Sequence, residues 1–222
     1  MKFGIPVVFY GENQAESGNA KEENLTPIMD TAFFTQAGGG DVQLGGMTIS
    51  ELLAESDFNL DDFSPYIPPS TEALADSSVE VRYLGYYLRW DPQECFYYAA
   101  ENTGFRPSTT RTEGSYSKYS SLDDKIDPFH YWTTLIKFGL GRASYDAAQE
   151  IRNEKINRSE GVALVKKYDE EFPIKYFQEF LDYIDISAEE FHQTIERFRN
   201  LNLWTKTDGE WRLKKPVWTD EA

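Results

Sequence analysis

The groups best able to do chemistry are concentrated between Ser115 and Arg152, in SYSKYSSLDDKIDPFHYWTTLIKFGLGRASYDAAQEIR. Asp123, Asp124, Lys125 and Asp127 stand close together, and His130, one of two histidines, follows them. After an apolar and aromatic run comes a glycine-bracketed arginine, Gly139-Leu140-Gly141-Arg142. A helix that serves only as scaffold scatters its charges over one wet face. Charges gathered beside a long apolar helix are expected to line the floor of an anion-handling site. His130 falls off the apolar stripe and reads by itself as a hydrogen-bonded structural histidine.

A second set lies near the start. Ile5 to Tyr10 is a continuous apolar run, as in a parallel strand covered on both faces. The polar stretch Gly11-Glu12-Asn13-Gln14-Ala15-Glu16 follows it, where α/β sheets place ligand groups. Glu12 and Glu16 could hold a metal-bound phosphate chain. An ordinary strand-to-helix turn would look the same. A loop over 103–114 carries Arg106, Arg111 and Glu113 and could cross the mouth of a site, or be plain surface.

The elements that must position these groups leave local signals. A second strand is expected over Val79–Trp90, and two strands do not make a stable doubly wound sheet. The chain is therefore expected to be the C-terminal portion of a larger protein, with Met1 an internal start. A helix is expected through Pro27–Thr35, ended by the turn Gly38-Gly39-Gly40, which lacks the Lys and Ser/Thr of a phosphate-binding loop. Thr48 with Glu51 predicts a capped helix to Glu55, and Asp91-Pro92 starts another that stops near Gly104. From Asp127, Phe129, Trp132, Ile136 and Leu140 recur at helical spacing. Asn157 with Glu160 caps a helix to Tyr168. Pro173 opens a helix with the stripe Ile174, Phe177, Phe180, Leu181 and Ile184. Ser187 with Glu190 caps one bearing Phe191, Ile195 and Phe198, with His192 on its wet side. Residues 203–213 read as a hairpin turning at Asp208-Gly209.

Composition narrows the classes. A net charge of −16 argues against a general nucleic-acid binder. The charge is uneven: residues 1–78 carry 13 acids against two lysines, and the remainder 25 acids against 20 bases. With 40% hydrophobic and 15% aromatic residues the chain can bury a core. No run is long and apolar enough to span a bilayer. The single cysteine, Cys95, reads as a buried small hydrophobe in an aromatic helix and suits a reducing cytoplasm. Paired cysteines and a His-Cys cluster are lacking, as are the nucleophile-elbow and dinucleotide fingerprints.

Several blocks carry a resemblance. Gly4-Ile5-Pro6-Val7-Val8-Phe9-Tyr10-Gly11-Glu12-Asn13 with Glu16, Tyr83-Leu84-Gly85-Tyr86-Tyr87 and Trp90-Asp91-Pro92-Gln93-Glu94 come first. Arg111-Thr112-Glu113-Gly114, Tyr116-Ser117-Lys118-Tyr119-Ser120-Ser121, Asp123-Asp124-Lys125-Ile126-Asp127, Lys137-Phe138-Gly139 and Gly141-Arg142-Ala143 follow. In this order they resemble the N-acetyl sugar amidotransferases of the WbpG and PseA type, from lipopolysaccharide O-antigen and flagellar-glycan (pseudaminic acid) biosynthesis. The likeness covers nearly the whole chain. That family belongs to the ATP pyrophosphatases, the PP-loop superfamily. The resemblance implies an α/β fold: over 1–114 the last part of an adenine nucleotide alpha hydrolase-like, Rossmann-like domain, then over 115–222 a helical region ending in the hairpin. The family's Ser-Gly-Gly-x-Asp-Ser loop and its cysteine pairs are missing here.

The resemblance further implies that ATP, with Mg2+, adenylylates the acetamido oxygen of an N-acetylated sugar or nucleotide sugar and releases pyrophosphate. Ammonia from glutaminase and cyclase-like partner subunits then leaves an acetamidino group. On that footing Lys125 and Arg142 are candidates to neutralise the developing charge. Glu12 and Asp124 would form a magnesium shell. Glu12, Asn13, Glu16, Asp124 and Asp146 would serve the nucleotide, with Asp146 orienting Arg142 at i, i+4. Arg111, Tyr116 and Lys118 would hold the substrate, and His130 or Tyr116 would take a proton from ammonia. A tRNA-modifying ATP pyrophosphatase and a non-enzymatic interaction remnant are the alternatives.

Overall fold

The computed structural model describes residues 3–11, 25–35, 41–55 and 57–219. Glu12, Asn13, Glu16 and the triple glycine at 38–40 lie outside the described residues. The chain forms two compact units, Met1–Trp90 and Asp91–Ala222, of mixed α/β character. The division falls at Trp90, so the helix begun by Asp91-Pro92 and the loop after it belong with the second unit.

In the first unit β1 (Val7–Tyr10) pairs in parallel with β4 (Glu80–Tyr83), in the register Val7 to Glu80 through Tyr10 to Tyr83. Met29, Val81 and Tyr83 make its small core, with Phe34 packed against them. A short hairpin, β2 (Gln43–Leu44) with β3 (Met47–Thr48), leads into α1 (Ile49–Glu55), and α2 (Leu60–Phe63) and α3 (Thr71–Ala75) follow. The Thr48–Glu51 box forms: Glu51 N–H donates to the Thr48 hydroxyl, and the Glu51 carboxylate accepts the Thr48 N–H at 2.7 Å.

Three expectations need correction here. The apolar run is not covered on both faces: Val7–Tyr10 are all exposed, Phe9 by 52%. A sheet of two strands has too little behind it to bury either face. The second strand ends at Tyr83, because Leu84–Tyr86 turn into a 3-10 segment at Gly85. The segment after Pro27 is extended, with Met29 N–H donating to Val81 O, and only Thr31–Phe33 form a 3-10 turn.

The second unit is helical: α4 (Pro92–Asn102), α5 (Asp127–Phe138), α6 (Arg142–Arg152), α7 (Arg158–Tyr168), α8 (Phe177–Ile184) and α9 (Ala188–Phe198). It closes with the antiparallel pair β5 (Trp204–Thr207) and β6 (Glu210–Leu213). Asp208 and Gly209 both take positive φ, as the tight two-residue turn requires. The caps form where their spacing places them. Asp91 accepts the Glu94 N–H, Asn157 and Glu160 cap α7 reciprocally, and Ser187 accepts the Glu190 N–H.

Leu135 and Ile136 of α5 meet Leu181, Phe191, Ile195 and Trp204 in one core. Phe129 stacks on Phe180 with ring centres 4.2 Å apart. Two sequence expectations fail in this unit. Helix α8 begins at Phe177, not at Pro173, and Ile174 is exposed. Cys95 is exposed, because no residue of α4 is fully buried: of its aromatics, Tyr97 and Tyr98 are exposed and only Phe96 is partly covered.

Trp204 ties the hairpin to α5: its ring is buried and its Nε1–H donates to Ile136 O at 3.0 Å. Trp204→Ala is expected to lower stability by about 3–5 kcal/mol, the range for emptying a buried aromatic site. Urea unfolding of the full chain, followed by circular dichroism, measures it. A loss near about 0.5 kcal/mol, as at a surface position, would contradict this packing.

Candidate functional site

Arg142 is the first residue of α6, and its position follows from the glycines beside it. Gly139 ends α5 in the left-handed conformation (φ 75°), with its N–H on Leu135 O. Gly141 precedes α6 and has no side chain with which to cap it. The cap comes instead from Asp169, just past the end of α7. Its buried carboxylate accepts the Gly141 N–H at 3.0 Å, the Ser144 N–H at 2.8 Å and the Ser144 hydroxyl at 2.8 Å. A β-carbon on Gly141 would sit 2.8 Å from Asp169 Oδ1 and 2.9 Å from the Asp169 backbone oxygen. Gly141 is thus the contact that lets Asp169 reach the helix end. Ala143 N–H donates to Gly114 O. Burial pushes the Asp169 carboxyl above its ordinary pKa, against the donors that pull it down. The helix N-terminus that could have received a phosphate is filled by the protein's own carboxylate.

The Arg142 side chain runs into a ring of acceptors. Its Nε donates to Asp146 Oδ1 at 3.1 Å, and Nη1 donates to Asp127 Oδ2 at 3.1 Å and to Ser121 Oγ at 3.2 Å. The guanidinium lies over the Tyr131 ring, 4.2 Å from its centre. Ser115 Oγ donates to the far oxygen of Asp146, and Ser121 Oγ donates to the same Asp127 oxygen that Arg142 contacts. Side-chain exposure is 14% for Arg142 and 19% for Asp146, so this i, i+4 pair is not the exposed kind of little consequence. These bonds use Nε and Nη1 and leave Nη2 uncommitted among the described residues. Two carboxylates around one guanidinium leave a net negative charge, so the node offers a directed donor and not an anion trap.

Around it the serine-rich loop folds on itself. Thr112 Oγ1 donates to Ser120 O, and Ser117 and Ser120 share a hydroxyl bond of 2.9 Å. Tyr119 stacks on Phe96, and its hydroxyl donates to Gln93. Burial, then the nearby Glu150 and Asp146, push the Tyr119 hydroxyl up to about 12 and the Tyr116 hydroxyl higher still. Burial and Asp146 likewise raise Glu150. The Tyr116 oxygen is buried and makes no hydrogen bond within the usual distance among the described residues. Arg111 takes another course, gripping Glu171 through two bonds of 2.5 and 2.6 Å and lying over the Tyr168 ring. Glu171 also accepts the Gly114 N–H, so this pair anchors the loop.

Of the residues singled out from the sequence, the structure brings Arg142, Asp146 and Tyr116 to one locality and Arg111 to the loop's anchor. It places Lys125 elsewhere: the side chain is 59% exposed and pairs with Glu179. Asp124 accepts the Ile126 N–H at 2.6 Å, and His130 and Lys118 are exposed. Among the described residues no group of three His, Cys, Asp or Glu could hold a metal ion. Ser115, Asp169 and Glu171 escaped sequence reasoning. Lone serines and acids carry no local signal, and the bonds they make span long separations.

Residues 113–217 match the family model described as LPS biosynthesis protein WbpG-like, C-terminal domain. The match takes in the Arg142 node, Asp169, Glu171 and the hairpin, and it supports a WbpG-type lipopolysaccharide-biosynthesis family. No curated protein matches the chain. Among the described residues no helix is long and apolar enough to cross a membrane.

Arg111 holds the Glu171 carboxyl below the ordinary glutamate value of 4.5. A carboxylate whose pKa is lowered by folding stabilises the fold fully above its unfolded value, and the contribution is lost as pH falls through the lower folded value. Glu171→Gln is therefore expected to cost about 1–3 kcal/mol at neutral pH, with the difference shrinking below pH 4.5. Urea midpoints measured across that range decide it; a pH-independent difference would refute the ion pair's contribution.

Proposed function

We propose that the chain works in bacterial surface-glycan biosynthesis as part of an ATP-dependent amidotransferase that turns the acetamido group of an N-acetylated sugar, free or nucleotide-linked, into an acetamidino group. The observation that carries this reading is the family match over 113–217, which spans the Arg142 node. The amidotransferase blocks quoted above run in the same order before and through that range. ATP with Mg2+ as co-substrate and metal, and glutaminase and cyclase-like subunits as the ammonia source, enter by that resemblance. So does a Rossmann-like first unit.

In the second unit, groups suited to phosphate or metal are engaged within the chain. Asp169 fills the α6 N-terminus, Asp124 caps its own turn and Lys125 is paired on the surface. The magnesium shell would need Glu12, which lies outside the described residues. What the second unit offers is substrate positioning. An amide oxygen is a neutral acceptor, and Arg142 Nη2 is a donor fixed by two carboxylates and an aromatic face. Such a donor orients an acetamido group without drawing in free anions. Arg111 serves by holding the loop, and Tyr116 and Glu150 lie half-buried beside Asp146. Lys125, Lys118 and His130, all exposed, carry no role in this reading. The exposed aromatics of α4, Tyr97 at 52% and Tyr98 at 68%, favour the docking of a partner alongside the enzymatic role.

Saturation-transfer NMR with UDP-N-acetylglucosamine tests the positioning role. The acetamido methyl signal is expected to be saturated by the wild-type chain. Arg142→Gln should weaken binding about ten- to a hundredfold, as for one lost hydrogen bond from a charged donor. Incubation with the same sugar, ATP and ammonium, read by mass spectrometry for replacement of oxygen by nitrogen, tests the reaction. No saturation at millimolar sugar, or equal binding by the two proteins, would sink the reading.

A further inference from the structure

A cavity of about 230 Å3, lined in part by Asp169, lies between the α5–α6 corner and the C-terminal hairpin. Its wall is apolar where Leu203 and Trp218 line it, and polar where Ser144, Asp169 and Asn202 do, with Lys215 among the lining residues. Apolar walls with a few convergent polar groups define small-molecule sites. The volume is below the roughly 300–1,000 Å3 of drug-sized pockets, so it admits one ring and not a nucleotide.

Each part of the lining selects. Ser144 spends its proton on the buried Asp169 carboxylate, so its oxygen meets a ligand as an acceptor. That pairing asks for a hydroxyl or amide N–H donor. Trp218, in a 3-10 turn (Val217–Thr219) against α7, lines the cavity with an aromatic ring, the kind of group that packs on the C–H side of a saturated ring. Asn202 supplies both donor and acceptor. Lys215 has an exposed ammonium, suited to a negative substituent that protrudes from the cavity.

We propose that this cavity is a monosaccharide subsite, which takes one pyranose bearing hydroxyl or amide donors and sets its anionic substituent against Lys215. That the ring is an amino sugar rests on the function proposed above. The site is distinct from the Arg142 node, on which that function relies, and the two meet only through Asp169 and the first turn of α6.

The test uses the full chain, isotope-labelled, with N-acetylglucosamine 1-phosphate and N-acetylglucosamine as probes. Both sugars are expected to shift the Ser144 and Asn202 amides and the Trp218 indole N–H. Trp218→Leu should weaken both at least tenfold. Lys215→Ala should weaken the phosphorylated sugar at least fivefold and leave the neutral one unchanged. Shifts confined to the surroundings of Arg142 and Tyr131 would overturn the subsite while leaving the proposed function standing. Binding that depends on Trp218 and is indifferent to Arg142→Gln would keep the subsite and remove the role given to Arg142. Absence of any shift with either sugar at millimolar concentration would overturn the subsite.

Discussion

The buried carboxylate of Asp169 caps a helix to which it does not belong, and the geometry of the second unit depends on that contact. Gly141, which precedes helix α6, has no side chain to cap it, so the first N–H groups need an acceptor from elsewhere. Asp169 supplies it from the end of α7, and the approach is close enough that only a glycine fits at position 141. This contact fixes where α6 starts. Arg142, at the first helical position, is thereby delivered to Asp127, Ser121 and Asp146. The same carboxylate forms part of the wall of the cavity on the hairpin side. One desolvated acid therefore links the two places in this unit where a small ligand could be held.

The charge balance around Arg142 changes the chemistry expected of it. Read as a sequence, a glycine-bracketed arginine beside a cluster of charges suggests a cation waiting for phosphate. In the structure its charge is already matched by Asp127 and Asp146, and its ring neighbours are aromatic. What remains is a rigid donor in a nearly buried setting, suited to a neutral oxygen. Such a group is consistent with sugar handling in the lipopolysaccharide-biosynthesis context that the match over 113–217 supports.

Much of the local structure was legible because its causes are local. A capping box, a proline after an aspartate, or Asp-Gly between alternating residues acts over three or four positions, and each produced the element it predicts. The failures are long-range. Asp169 and Gly141 are 28 residues apart, and Arg111 and Glu171 are 60 apart; neither acid has neighbours that announce its partner. Lys125 was drawn toward Arg142 by sequence proximity, yet its ammonium turns to Glu179, 54 residues on. Apolar content misled twice. The β1 run and the α4 aromatics read as core because composition cannot tell a buried face from an exposed one.

The central claim is that Asp169 positions Arg142 by fixing the start of α6. The side-chain Nε–H of Arg142, observed by 15N NMR at neutral pH, reports on it most directly. The account predicts a resolved, slowly exchanging signal with restricted motion in the wild-type chain. In Asp169→Asn, which keeps shape but removes an acceptor oxygen and the charge, that signal should broaden or exchange with solvent while the Trp204 indole signal is unmoved. An Arg142 signal equally protected in the variant would contradict the account.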